Sequence, residues 1–194
     1  MIANTTYGTT PLDRDEADGL LLDISTHSEL DEAEQLNIAF AELWATRRKR
    51  NDILSINFLK RLHKEMFSNV WKWAGTFRTS NKNIGIEWRA GAIAIALQEL
   101  LNDVQYQIKE EVYSFDEIAA RFHHRLVSIH PFPNGNGRHA RLATDLLLMH
   151  YNHHRGSWGA QLELPIEEVR KQYISALREA DHGNISKLLI FLRQ

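Results

Sequence analysis

The sequence predicts an all-α domain, a helical bundle carrying one small β-hairpin flap. Three observations point to it. Apolar residues recur at helical spacing along most of the chain, and cap residues or acids open several of the runs. Only residues 71–88 break the pattern, with Gly75, Gly85 and short β-prone pieces. Finally, 43% of the 194 residues are hydrophobic, enough for one buried core.

The elements follow in order. Residues 1 to about 20 are polar and read as irregular, broken by Pro11 and Gly19. From Ser28 to about Arg48 the spacing predicts a helix, with Ser28 as N-cap and Leu30, Ala33, Leu36, Ile38, Phe40, Leu43 and Trp44 as its apolar positions. Residues 56–67 form a second helix. Thr76-Phe77-Arg78 and Ile84-Gly85-Ile86 supply the hairpin, with Trp71, Trp73 and Trp88 buried beneath it and Lys82 solvated. Helix returns from Ala90 to about Glu111, and again over 115–129, where Ser114 and Glu117 form a capping box. Arg138 to about His150 is a helix with a nearly continuous apolar face, which places it centrally. Residues 156–159 turn, and helices over about 165–180 and 184–193 close the chain around Gly183.

Composition removes several function classes. A net charge of -2 argues against a general electrostatic attraction to nucleic acid. No apolar run of about 18 residues exists to span a membrane. The first residues lack the basic and apolar regions of a signal peptide, so a cytoplasmic location is expected. There is no cysteine, hence no disulfide framework. Ten histidines include the adjacent pairs His123-His124 and His153-His154, but neighbours on a helix point apart and no HExxH pattern is present.

The chemistry concentrates in residues 130–141, His-Pro-Phe-Pro-Asn-Gly-Asn-Gly-Arg-His-Ala-Arg. Pro131 and Pro133 stop the preceding helix near His130. Gly135 and Gly137 remove side chains, so backbone amides can approach an anion. The next helix starts behind them and turns its positive end to the loop. Arg138 and Arg141, three apart, share a helix face and can reach one polyphosphate. His130 stands at the entrance, where an imidazole can take a proton from an attacking hydroxyl.

This string resembles the signature of the Fic/Doc family, HPFx[D/E]GNGRxxR, and matches every fixed position except one. Trp71 to Arg78 and Asn83-Ile84-Gly85 are similar to that family's flap region. The asparagine variant, with the Ser28-to-Ile38 segment before it, resembles the subfamily called mobile mystery protein B. The resemblance implies a Fic domain over 28–194 behind an N-terminal extension of 1–27. It implies an enzyme that transfers AMP from ATP to a Ser, Thr or Tyr hydroxyl of a target protein. His130 would be the base. Gly135, Asn136 and Gly137 would form the anion hole, Arg138 would hold the β-phosphate side, and Arg141 would orient the γ-phosphate. Phe132 would be a core anchor. Asn83, Ile84 and Gly85 would guide a target segment along the flap. Glycine at 137, where the kinase-like branch has lysine, favours nucleotidyl transfer. Family members often form homodimers.

The departure is Asn134, where the family has an acid holding Mg²⁺. A neutral carbonyl oxygen makes a weaker metal ligand than a carboxylate. Three outcomes stay open: a weaker Mg²⁺ site shared with phosphates, another phosphate donor, or a silent nucleotide-binding regulator. Many relatives also carry an inhibitory [S/T]xxxE[G/N] helix whose glutamate meets the second signature arginine. Ser28 to Glu32 fits its first five positions, and Glu34 is a second candidate. Glu32, or failing that Glu34, is therefore expected to pair with Arg141.

Overall fold

The structure is a computed structural model that describes residues 12–47, 52–82 and 89–194. Among these residues the regular secondary structure is helical. The elements are α1 (Arg14–Ala17), α2 (His27–Thr46), α3 (Ile56–Phe67), α4 (Ile93–Lys109), α5 (Phe115–Ile129), α6 (Asn136–His150), α7 (Ile166–Asp181) and α8 (Ser186–Arg193). A single 3-10 turn at Ala90–Ala92 leads into α4. Thr76 to Arg78 form no strand, and the remaining flap residues, Asn83 to Trp88, lie outside the described residues. The only β feature described is one antiparallel bridge between Leu20 and Trp71.

The main core is built by α3, α4, α5 and α6, with α2 laid across α3 and α6. Its largest fully buried side chains include Phe58, Phe67, Phe122, Leu62, Leu97 and Leu126. As its apolar face predicts, α6 is central, with Ala140, Leu142, Ala143, Leu146, Leu147 and Leu148 all buried. A second cluster joins α5 to α8 through Ala119, Ala120, Leu148, Trp158, Phe191 and Leu192, and α7 packs on α8. The turn before α7 is fixed from within. Buried Asp145 accepts from the Gly156 amide and from Trp158 Nε1, both at 2.9 Å.

Two helix starts differ from expectation for identifiable reasons. The N-cap of α2 is Thr26, not Ser28. Thr26 Oγ1 accepts from the Glu29 amide (3.3 Å), and the Glu29 carboxylate accepts from the Thr26 amide (3.0 Å). Thr-x-x-Glu closes a reciprocal box, whereas counting from Ser28 puts Asp31, one methylene shorter, at the return position. Helix α6 starts at Asn136 rather than Arg138, because Gly135 takes the cap position at φ 75.

The N-terminal stretch is not wholly irregular. Lys82, expected in solvent, is buried; its Nζ donates to Asp13 (3.0 Å) and Glu16 (2.5 Å) at α1. Trp73 Nε1 donates to the Glu16 carbonyl at 2.9 Å. These contacts fasten α1 to the segment that follows α3.

Candidate active site

Helix α5 ends at Ile129, and His130 is its C-cap, with φ 51 and ψ 60. This left-handed conformation costs a non-glycine residue about 1–2 kcal/mol, so it needs local support. Arg78 provides it. Its amide donates to the Pro131 carbonyl (2.9 Å), Nε to the His130 carbonyl (2.7 Å) and a terminal nitrogen to the Ile129 carbonyl (3.4 Å). One buried guanidinium thus fixes the backbone on which the imidazole is mounted. Burial lowers the His130 pKa to about 3, helped by the positive charges of Arg78 and Lys82 and opposed by a hydrogen bond to the Val127 backbone. The ring is therefore neutral at physiological pH, the form that can accept a proton.

The loop beyond His130 is cross-braced. Phe132 is fully buried and stacks on His63, with centroids 3.7 Å apart. His63 Nδ1 accepts from the Gly75 amide (2.9 Å), so in the neutral ring Nε2 carries the proton and donates to the Asn134 carbonyl (3.1 Å). Burial holds the His63 pKa well below its ordinary value, which keeps the ring neutral. Asn136 clamps the turn from both sides. Its Nδ2 donates to the Phe132 carbonyl (2.8 Å) and its Oδ1 accepts from the Phe132 amide (3.0 Å). Its side chain is thereby committed to the loop, and only its backbone is left for a ligand.

The two glycines differ in purpose. Gly135 has φ 75, and a Cβ there would sit 2.5 Å from Phe67 Cζ. Gly137 has ordinary helical φ, and the nearest atom to a Cβ there would be the Tyr173 hydroxyl at 3.6 Å. Packing therefore requires glycine at 135 but not at 137. The amides of Asn136, Gly137 and Arg138 open α6, where helix geometry provides no acceptor, and they donate to no backbone carbonyl of the described residues. They present three donors at the positive end of the helix.

The arginines divide between two neighbours. Arg138 lies over the Phe67 ring (5.1 Å) and donates to Glu34 Oε2 at 2.6 Å. Glu34 is buried on α2, and its other oxygen accepts from Trp71 Nε1 at 2.7 Å. Arg141, expected to receive the glutamate, instead lies over the Tyr173 ring of α7 at 5.4 Å. Glu32 is exposed. The acid that reaches the signature is thus Glu34, and it meets the first arginine, because Arg138 opens α6 on the side facing α2 while Arg141 faces α7.

Asn134 is half-buried, and its Oδ1 accepts from the Gly135 amide at 2.6 Å. No group of three His, Asp, Glu or Cys side chains suited to a metal exists among the described residues. A neutral oxygen already engaged by an amide does not fit a protein-built Mg²⁺ site, since such sites use carboxylates.

The loop, the opening turn of α6 and the helices beneath them fall within one matched segment: the Fic/DOC family matches residues 53–148. The chain belongs to the Fic/Doc family. It is 31% identical over 140 residues to a protein adenylyltransferase, fic-1 of Caenorhabditis briggsae, covering 71% of this chain and 26% of that one. The chain thus spans about a quarter of the length of that curated relative. In fold it is similar to the N-terminal FIC domain of Bep8 from Bartonella sp. 1-1C, with TM-score 0.72 and 16% identity over 90% of this chain and 88% of that one. It is also similar to BepC of Bartonella tribocorum with bound AMPPNP, with TM-score 0.69 and 17% identity over 93% and 96% of the two chains. The helical architecture is that of the Fic domain.

Two of the site's contributors lie outside the matched segment: Glu34 on α2 and Tyr173 on α7. Asn83, Ile84 and Gly85 lie outside the described residues. Sequence reasoning missed Arg78, His63 and Tyr173. Arg78 stands at the end of the Trp71-to-Arg78 string, but nothing in its spacing says that it folds inward to hold a backbone turn.

Proposed function

We propose that this chain transfers AMP from ATP to a hydroxyl side chain of a target protein, and that Glu34 restrains it. The observation that carries the reading is a neutral His130 at one end of a tight loop whose other end presents three amides without a backbone acceptor, and two arginines, at the start of α6. In this reading the α6 amides and Arg138 bind the phosphates, and Arg141 receives the terminal phosphate. His130 takes the proton from a Ser, Thr or Tyr hydroxyl as its oxygen bonds to the α-phosphorus, and pyrophosphate leaves. Stabilising fixed negative charge and positioning the nucleophile supply most of the catalysis in such transfers. Asn83 to Gly85 guide the target segment. The location is cytoplasmic, and a homodimer is the expected assembly. The nucleotide brings its own magnesium in solution, and Asn134 adds at most a neutral oxygen to it.

Glu34 supports the restraint by its place. Its carboxylate holds the Arg138 nitrogen that a phosphate needs, and Trp71 orients it there. The test is AMP transfer from α-labelled ATP to the protein itself and to a host lysate. Glu34→Gly is expected to raise labelling at least about tenfold, since it removes a charge-assisted competitor. Glu32→Gly is expected to leave labelling unchanged, and His130→Ala in the Glu34→Gly chain to abolish it. Equal labelling in the Glu34→Gly chain and the wild type would refute the restraint. The second reading is a silent nucleotide-binding regulator. It is favoured by the engagement of Asn134 Oδ1 with the Gly135 amide, and it predicts nucleotide binding with no label in any variant.

A further inference from the structure

The family signature contributes two arginines, but the fold brings a third to the same place. Arg170 is on α7, three residues before Tyr173 and so on the same face of that helix. Tyr173 meets the site directly. Its ring lies under the Arg141 guanidinium (5.4 Å), and its hydroxyl is the nearest atom to a Cβ on Gly137 (3.6 Å). That hydroxyl is hydrogen-bonded to His123 Nε2 at 2.9 Å, and burial pushes its pKa up to about 12, so Tyr173 is a fixed, neutral support. Arg170 is half-buried beside it.

The charges around Arg170 do not balance. Its own burial, and then the positive charges of Arg138 and Arg141, make its protonated form less favourable, while Asp31 acts in the opposite direction. Among the described residues neither Arg170 nor Arg141 forms an ion pair with a carboxylate, and Glu34 is committed to Arg138. Arg170 thus lies one helical turn from the tyrosine that carries Arg141, within reach of the charges of both signature arginines, and of the three only Arg138 has a carboxylate partner among the described residues. Like charges brought together and partly desolvated cost stability, and a structural role would call for a partner acid. A multiply charged anion removes that cost.

We propose that Arg170 is a third phosphate-binding arginine, which joins Arg141 on the terminal phosphates of a nucleoside triphosphate, with Tyr173 positioning the Arg141 side chain. This rests on the nucleotide-binding reading above and extends it to a residue outside the family-matched segment. It makes the site selective by phosphate number. Arg138 and the α6 amides serve the inner phosphates, which AMP, ADP and ATP share to differing degrees, whereas the Arg141–Arg170 pair serves the outermost one.

The test is calorimetric binding of ATP, ADP and AMP to the full chain and its Arg170→Gln and Arg170→Lys variants, repeated in the Glu34→Gly chain so that the carboxylate does not compete. Arg170→Gln is expected to weaken ATP about tenfold or more, the scale of one lost charged hydrogen bond, while AMP changes by less than about twofold. Arg170→Lys is expected to recover part of the ATP affinity. A purely structural role would weaken all three nucleotides alike. An unchanged ratio of ATP to AMP affinity in Arg170→Gln would therefore overturn the proposal while leaving the nucleotide site in place. If neither the wild type nor the Glu34→Gly chain binds any of the three, the nucleotide-binding reading fails and this proposal falls with it.

Discussion

Arg78 and His130 illustrate how much of the chemistry is set by one contact. The guanidinium holds the carbonyls of Ile129 and His130, which stabilises a backbone turn that histidine adopts only with support. The same charge, behind burial in size, pushes the imidazole pKa down. A ring at about 3 is neutral over the working range, so the pH profile of kcat/KM, which reports the free enzyme, is expected to show no acid limb from His130 between about pH 5 and 8. Arg78→Gln keeps a donor but loses the charge. It is expected to bring an acid limb upward, towards the ordinary histidine value of about 6.5, and to lower the rate as the turn loosens. A profile as flat as that of the wild type, with only a uniform loss, would leave Arg78 a purely structural role. Residues 130–141 were legible as a candidate site because spacing alone puts a histidine, two glycines and two arginines in order. Arg78, His63 and Tyr173 were not, because each acts from another element, and the distance that matters exists only in the folded chain.

At the scale of the element, α2 teaches most. Its sequence reads as a helix with Leu36, Phe40 and Leu43 among the inward positions, yet these three are exposed. The buried face instead carries Glu34, Asn37, Ala41 and Ala45. Small residues let α2 lie close on α3 and α6, and the two polar ones meet partners on α6 and in the segment after α3. Asn37 Oδ1 accepts from Asn69 Nδ2 at 3.0 Å, and Glu34 bridges Trp71 and Arg138. Periodicity finds an apolar face but cannot tell that a buried, ion-paired carboxylate will claim the other one. Helices α3 and α5 have the limits their sequence patterns predict, and for them the pattern had no rival. Ser55 and Ser114 cap them, accepting from the amides of Phe58 and Glu117. The shift of α2's cap from Ser28 to Thr26 is the same lesson on a smaller scale: the glutamate that closes the box is Glu29.

The whole molecule is tuned to stay neutral at its buried histidines. His63, His123, His130 and His139 are buried, and burial lowers the pKa of each: to about 3 for His123 and His130, to about 4 for His139, and well below the ordinary value for His63. The sign of the effect follows. Between about pH 6.5 and these lowered values the unfolded chain binds protons that the folded chain refuses. The stabilisation is therefore complete above about pH 6.5 and is lost as pH falls towards the folded values, with each histidine contributing about 1.4 kcal/mol per pH unit. Urea unfolding at about pH 7.5 and about pH 5.5 is expected to show a clear fall in the midpoint at the lower pH, and equal midpoints would contradict neutral burial. The same histidines tie the core to the site, since His63 braces the Asn134 carbonyl and His123 supports Tyr173.

Which phosphorus of ATP ends on the protein decides whether residues 130–141 move the nucleotide or the terminal phosphate. The Glu34→Gly chain would be incubated in parallel with ATP labelled at the α-phosphorus and ATP labelled at the γ-phosphorus, with His130→Ala as control. Nucleotidyl transfer gives protein-bound label from the α position only, accompanied by release of pyrophosphate and lost with His130. Label from the γ position would make this chain a kinase and contradict it, and ATP binding with no label from either position would leave a nucleotide-binding regulator in its place.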